Sequence, residues 1–290
     1  KIYMIGIPPQ TEEDHIEKVV LQDEYGPVNF YLLPFVKPSM VKLITGTDEN
    51  GNNLSYNDTI HRLIEREQVN IDQRNILVSH QFYLPMGENA EEIERMDSEI
   101  RTVGNIDQVS ADILQKFDYA ALGHIHRAQH IGAEKYRYCG TPFPYSISEA
   151  GEEKSVTVVE LGEKGQPPVI RQIPLPPVRE VKKLTGTLHE ILEQAGEEVC
   201  HAFVSITLTD DVEAFQPKER LEEKYDHILE IRIDNARTRK LLSDTEEQLA
   251  EVRPEEAFAM FFSEMNGREM TPEERELMRQ VIAQEMEGDE

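Results

Sequence analysis

Two short apolar runs in this chain each end in histidine, and that shared ending constrains the fold more than any other feature. Asn75 to Ser79 centres on Ile76-Leu77-Val78 and runs into His80. Tyr119 to Leu122 runs into Gly123-His124-Ile125-His126. Runs this short and this apolar read as buried strands. Helical spacing precedes each. Asp58 to Val69 places Ile60, Leu63, Ile64 and Glu67 on neighbouring turns, and Ser110 to Phe117 reads as a short helix with Ser110 at its N-cap. Lys1 to Ile7, Val28 to Val36, Tyr136 to Cys139 and Ser155 to Leu161 add further strands. The alternation of strands and helices predicts an α/β class with a layered core.

Gln166-Pro167-Pro168 and Pro174-Leu175-Pro176-Pro177 are expected to break regular structure and act as a linker. The pattern then restarts. Val204, Ile206 and Leu208 alternate with Phe203, Ser205 and Thr207, as in a half-buried strand, and Leu229, Ile231 and Ile233 do likewise. Leu188 to Ala195 and Pro217 to Tyr225 read as helices between them. Two more helices follow. The first has Pro254 at N1 and carries Phe258, Phe261, Phe262 and Met265 on one face. Asn266-Gly267 stops it. Thr271-Pro272-Glu273-Glu274 opens the second with a capping box, and Leu277, Met278, Val281, Ile282 and Met286 line one face. The expected domains are therefore 1–177, a small α+β domain at 178–245 and a helical tail at 246–290.

Charge narrows the function. The 290 residues hold 56 Asp and Glu against 30 Lys and Arg, a net charge of −26. A simple cationic nucleic-acid module would be basic, because it must displace counterions from phosphates. A metal-dependent nuclease stays open, since bound cations supply positive charge at the site itself. No apolar run approaches the roughly 18 residues of a membrane-spanning helix. The two cysteines, Cys139 and Cys200, exclude a disulfide scaffold, suit a cytoplasmic location and are expected to be buried, inert thiols.

The chemistry concentrates on the histidines. Two residues apart on an extended backbone, His124 and His126 can project to the same side, and Gly123 permits close approach. Imidazole ligates zinc, manganese or iron. Ligands of open α/β sheets bind at the carboxyl ends of strands, where His80 also falls. His80, His124 and His126 are thus candidate metal ligands, although an isolated His-x-His pair is more often structural. His130, one turn further on, could be a decoy, and His15, His61, His189, His201 and His227 have no neighbours at metal spacing.

The ordered set His80-Gln81-Phe82, Val103-Gly104-Asn105-Ile106-Asp107-Gln108-Val109, Phe117 to His126, Tyr138-Cys139-Gly140-Thr141-Pro142 and Tyr145-Ser146-Ile147-Ser148-Glu149 resembles the later motifs of the SbcD family, within the calcineurin-like metallophosphoesterases. The resemblance is firm over about residues 1–160 and looser beyond. It implies a partial metallophosphoesterase-type β-sandwich with helices, a capping domain and partner-binding helices. It implies two divalent metal ions, usually manganese, with His80 and His124 on one and His126 on the other. It implies a DNA nuclease acting on double-stranded ends and hairpins with an SbcC-type coiled-coil ATPase, as a homodimer.

The family's earlier motifs, Asp-x-His, Gly-Asp and Gly-Asn-His-Asp/Glu, are absent from these residues, and they would carry the catalytic histidine and the carboxylate ligands. The 290 residues by themselves are therefore expected to be inactive. Phe258, Phe261, Phe262, Met265, Leu277 and Val281 are the expected partner anchors. Arg232, Arg237, Arg239 and Lys240, with Lys182 and Lys183 nearer the start of that domain, could touch DNA phosphates, or could form an ordinary solvated basic face. Two other readings remain: a different two-metal phosphoesterase acting on small esters, and a non-catalytic capping fragment that binds SbcC.

Overall fold

The computed structural model describes residues 1–85, 107–210, 216–236, 238 and 254–288. The chain divides into two units, Lys1–Lys183 and Leu184–Glu290.

The first unit is built on a six-stranded sheet. Its strands are β1 (Glu17–Asp23), β2 (Gly26–Leu33), β3 (Arg74–Ser79) and, beyond a small parallel pair of β4 (Phe82–Leu84) and β5 (Gln108–Ser110), β6 (Tyr119–Leu122), β7 (Gln129–Ile131) and β8 (Ala133–Tyr138). The spatial order is β1-β2-β3-β6-β8-β7. Strands β2, β3, β6 and β8 run parallel, with Ser79 opposite both Leu33 and Leu122. Antiparallel hairpins close both edges. The carboxyl ends of β2, β3 and β6 consequently lie side by side, which gathers the two histidine-ending runs.

Alternation along the strands makes two faces. Leu77, Ala120, Leu122, Tyr136 and Tyr138 point into the main core. There they meet Ile60, Leu63 and Ile64 from helix α2 (Tyr56–Arg66), which follows a one-turn helix α1 (Lys42–Thr45). Each of those three side chains is fully buried, a contribution of roughly 1.5–3 kcal/mol apiece. The Ser55 hydroxyl caps α2 by accepting from the Asp58 N–H. On the opposite face, Val28, Ile76 and Tyr119 are covered by Val159 and Ile170 from an antiparallel pair, β9 (Ser155–Glu160) and β10 (Val169–Pro174). Buried Arg74 pins the first hairpin to the start of β3. Its guanidinium donates to Asp23 and to the carbonyls of Gly26 and Gly162. The bond from Arg74 holds the Asp23 carboxyl below its ordinary range.

A three-stranded sheet begins at the boundary and runs through the second unit: β11 (Val181–Gly186), β12 (Phe203–Leu208) and β13 (His227–Ile233), with β12 in the centre and parallel to β13. Helices α3 (Leu188–Glu193), α4 (Glu197–Cys200) and α5 (Pro217–Glu222) accompany it. Leu188, Ile191, Val204, Ile206, Leu208 and Leu221 form its core. Helices α6 (Pro254–Asn266) and α7 (Pro272–Gly288) end it. Thr271 and Glu274 make the expected capping box: the Thr271 N–H donates to Glu274 at 2.8 Å, and the Glu274 N–H donates to the Thr271 hydroxyl at 3.3 Å.

The structure is mixed α/β, as expected, and corrects four local readings. Lys1 to Ile7 is not a strand: no ladder takes it up, and Ile2 is 91% exposed. Apolar composition marks a segment that can be buried, but a strand also needs a pairing partner. Ser110 to Phe117 is a 3-10 helix, Ala111–Lys116, and Ser110 does not cap it with its side chain. The Ser110 N–H instead donates to Asn57 Oδ1, because the residue is the end of β5. The proline-rich stretch holds strand β10 between its proline pairs. Pro174 pairs with Ser155 at the last position of that strand, in a two-stranded sheet where a missing N–H can face outward. Cys139 is exposed and Cys200 half-buried, so neither is the buried thiol expected. Desolvation nevertheless pushes the Cys139 thiol pKa up, away from a nucleophilic thiolate.

Candidate functional site

The ends of β3 and β6 are joined one step beyond the ladder, where the Gly123 N–H donates to the Ser79 carbonyl at 2.9 Å. His80 then turns across Gly123. A Cβ at position 123 would lie 2.6 Å from His80 Nδ1, so the sequence must be glycine for the imidazole to take this place. Tyr138, fully buried at the end of β8, fixes the backbone after His80. Its hydroxyl accepts from the Tyr83 N–H at 2.7 Å and reaches the Gln81 and Tyr83 carbonyls at 3.3 and 3.1 Å.

His124 has φ 90°, a left-handed backbone that a non-glycine residue adopts at a cost of about 1–3 kcal/mol. Aromatic packing holds it there. Its ring stacks on Phe35 with centroids 6.4 Å apart and planes at 4°, meets Phe82 at 6.0 Å, and stands perpendicular to the His80 ring at 5.6 Å. Gln81 donates from Nε2 to the Pro34 carbonyl at 2.9 Å, which ties the end of β2, and with it Phe35, to the end of β3. Burial lowers the His80 pKa first, and the neighbouring His126 lowers it further, so His80 favours the neutral form near pH 7.

His126 is held differently. Its Nδ1 lies 3.3 Å from Oε1 of Glu149, which is 0% exposed. That carboxylate is the centre of a buried polar cluster. Lys154 Nζ donates to it at 2.6 Å, the Tyr145 N–H at 3.2 Å, and the Thr141 and Ser146 hydroxyls at 3.3 Å each. With the carboxylate accepting at Nδ1, the neutral His126 ring carries its proton there and its basic lone pair at Nε2. This is the outer partner that an imidazole ligand needs to stay in one orientation. Glu149 was not legible as such an acceptor in the sequence, although it stands in the Tyr145-to-Glu149 motif. His80 also borders a cavity of about 380 Å³, shared with Met4, Leu32, Val78, Gly123 and Cys139.

The structure thus brings His80 and His124 into ring contact and places His126 close enough to affect His80. Among the described residues, however, no three imidazole, carboxylate or thiol groups come together in a set able to hold a metal ion. Three imidazoles without a carboxylate also lack the oxygen ligands that suit manganese and would clamp two cations. The residues present do not by themselves fit a two-manganese centre.

The other histidines sit apart, beside carboxylates or rings. His15 lies 3.3 Å from Glu67, His61 3.4 Å from Asp112, His130 3.2 Å from Glu134, His189 3.4 Å from Glu193 and His201 2.6 Å from Asp226. His227 packs on Phe203.

Of the expected DNA-contacting cations, Arg232 lies 2.8 Å from Glu230, a carboxylate that Ser205 and Arg232 together hold below its ordinary range. Arg237, Arg239 and Lys240 lie outside the described residues. Lys182 pairs with Glu180 at 2.8 Å. Of the expected partner anchors, Phe261, Met265, Leu277 and Val281 are exposed. Phe258 and Phe262 are half-buried, with Phe258 packed on Phe261 and Phe262 beneath the Arg268 guanidinium at 4.9 Å. No helix among the described residues is long and apolar enough to cross a membrane.

Residues 177–266 match the SbcD_C family model, described as the type 5 capsule protein repressor C-terminal domain. The match takes in the three-stranded sheet of the second unit and helix α6.

Proposed function

We propose that this SbcD-type chain is part of a DNA nuclease subunit that works with an SbcC-type coiled-coil ATPase. The observation that carries the reading is the pairing, in one chain, of an SbcD C-terminal domain with two histidines, His80 and His124, in ring contact just past adjoining strand ends. Phosphodiester hydrolysis calls for groups that neutralise phosphate charge and orient an attacking water. His80, His124 and His126 can contribute ligands to such a site, with divalent metal, manganese foremost, as the proposed cofactor. Carboxylate ligands must come from outside the described set. Double-stranded DNA ends and hairpins are the proposed substrate, and the exposed residues of α6 and α7 the proposed ATPase contact. A homodimer and a cytoplasmic setting belong to the same proposal.

The test is cleavage of end-labelled duplex DNA with manganese, ATP and an SbcC-type ATPase. A polypeptide that also carries the Asp-x-His and Gly-Asn-His motifs should cut, and residues 1–290 by themselves should not. Turnover by residues 1–290 would sink the incomplete-site argument. Cleavage of small chromogenic phosphoesters but not DNA would favour another phosphoesterase. The remaining rival is a non-catalytic capping module. That rival predicts ATPase binding with no cleavage in any polypeptide.

A further inference from the structure

Next to His126 the chain displays two aromatic rings that the arrangement so far leaves without a role. Phe143 and Tyr145 are each 55% exposed, and within the first unit no described aromatic residue is more exposed. Their centroids lie 5.1 Å apart with planes at 64°. Tyr145 in turn meets the His126 ring edge-to-face at 5.2 Å and 85°. The three rings therefore form a continuous row leading away from the candidate site.

The loop that carries the row is rigid. Gly140 enters it at φ 72°, where a Cβ would meet the His126 carbonyl and the Ala128 nitrogen at 2.9 Å each. The Thr141 N–H donates to the His126 carbonyl at 3.1 Å, and the Tyr145 N–H donates to Glu149 at 3.2 Å. Pro142 and Pro144 flank Phe143 and restrict φ on either side. Large apolar rings are ordinarily buried, and ordering them in solvent forgoes that gain. A fixed, exposed aromatic pair instead suits a flat π-faced ligand, because little side-chain entropy remains to be lost on contact.

We propose that Phe143 and Tyr145 form a stacking platform for an unpaired nucleobase at a DNA end. The proposal rests on the DNA reading above and adds to it: the chain would select frayed or single-stranded ends at this rim. Base-on-aromatic stacking contributes about 1–3 kcal/mol per base, which corresponds to roughly 5- to 150-fold in affinity.

The experiment compares two duplexes in one buffer, because salt sets the phosphate contribution. Both carry the same short single-stranded overhang, one with intact bases and one with abasic sugars. The full chain should bind the intact overhang at least fivefold more tightly. The Phe143→Ala/Tyr145→Ala variant should bind both alike, and Phe143→Tyr should retain the preference. Circular dichroism confirms that the variants fold. Equal binding of both duplexes by the unaltered chain overturns the platform and leaves the DNA reading standing. A preference that survives in the double variant also overturns it. No binding of either duplex also overturns the platform, and the DNA reading is then decided by the cleavage assay above. A shift in oligomeric mass in the double variant, with base preference unchanged, reassigns the rings to a contact between protein copies.

Discussion

Substitution of Lys154 by methionine tests the cluster that orients His126. Met is close to Lys in length and apolar, so the packing volume is kept while the ammonium is lost. Lys154 is 7% exposed and its bond to Glu149 is short, at 2.6 Å. Contacts from Thr141, Tyr145, Ser146 and His126 lie at 3.2–3.3 Å, all longer than the bond from Lys154. Breaking a buried pair by removing one partner costs about 3–5 kcal/mol, because it strands the other charge. The Glu149→Gln/Lys154→Met double variant strands nothing and should recover at least half of that loss. Urea unfolding followed by tyrosine fluorescence and far-ultraviolet circular dichroism measures both. The chain has two units, so the transition of the second, which lacks these residues, serves as an internal reference. A loss below about 1 kcal/mol in Lys154→Met, or a double variant no more stable than the single, would refute the claim that this pair organises the site.

Gly140→Ala should destabilise the first unit by more than the roughly 1 kcal/mol of left-handed strain, since its Cβ would meet backbone atoms at 2.9 Å; urea unfolding reads it. Glu274 provides a pH test in the second unit. Bonds from Arg268 first and Thr271 next depress its folded pKa from 4.5 to about 2, so the stabilisation is complete above 4.5 and is lost as pH falls towards 2. Helicity of the chain should fall across that window, and Glu274→Gln should show a smaller change there. Phe261→Ser and Leu277→Ser, both at exposed positions, should weaken capture of an SbcC-type ATPase at least tenfold and leave the unfolding midpoint within about 0.5 kcal/mol equivalent; unchanged affinity in a pull-down series would remove α6 and α7 from the interface.

Much of this was legible in the sequence because it is local. Period-two alternation marked β12, and Ile60, Leu63 and Ile64 marked the buried face of α2. The Thr271 capping box marked the start of α7. These patterns depend on side chains a few positions apart, so a one-dimensional reading captures them. The histidines at strand ends were equally visible, since their position follows from the apolar run before each. Lys1 to Ile7 was misread because its pattern could not reveal whether a neighbouring strand exists.

The tertiary structure decided what each of those residues meets. The parallel register of β2, β3 and β6 carried Phe35 onto His124 and His80 across Gly123, pairings separated by tens of residues. Glu149 became the acceptor for His126 because a tight loop at Gly140 brings it back beneath that ring. Local spacing determines which elements form. Non-local register and burial determine which side chains touch, and so which of the chain's many carboxylates is sealed against an imidazole and which remain in water.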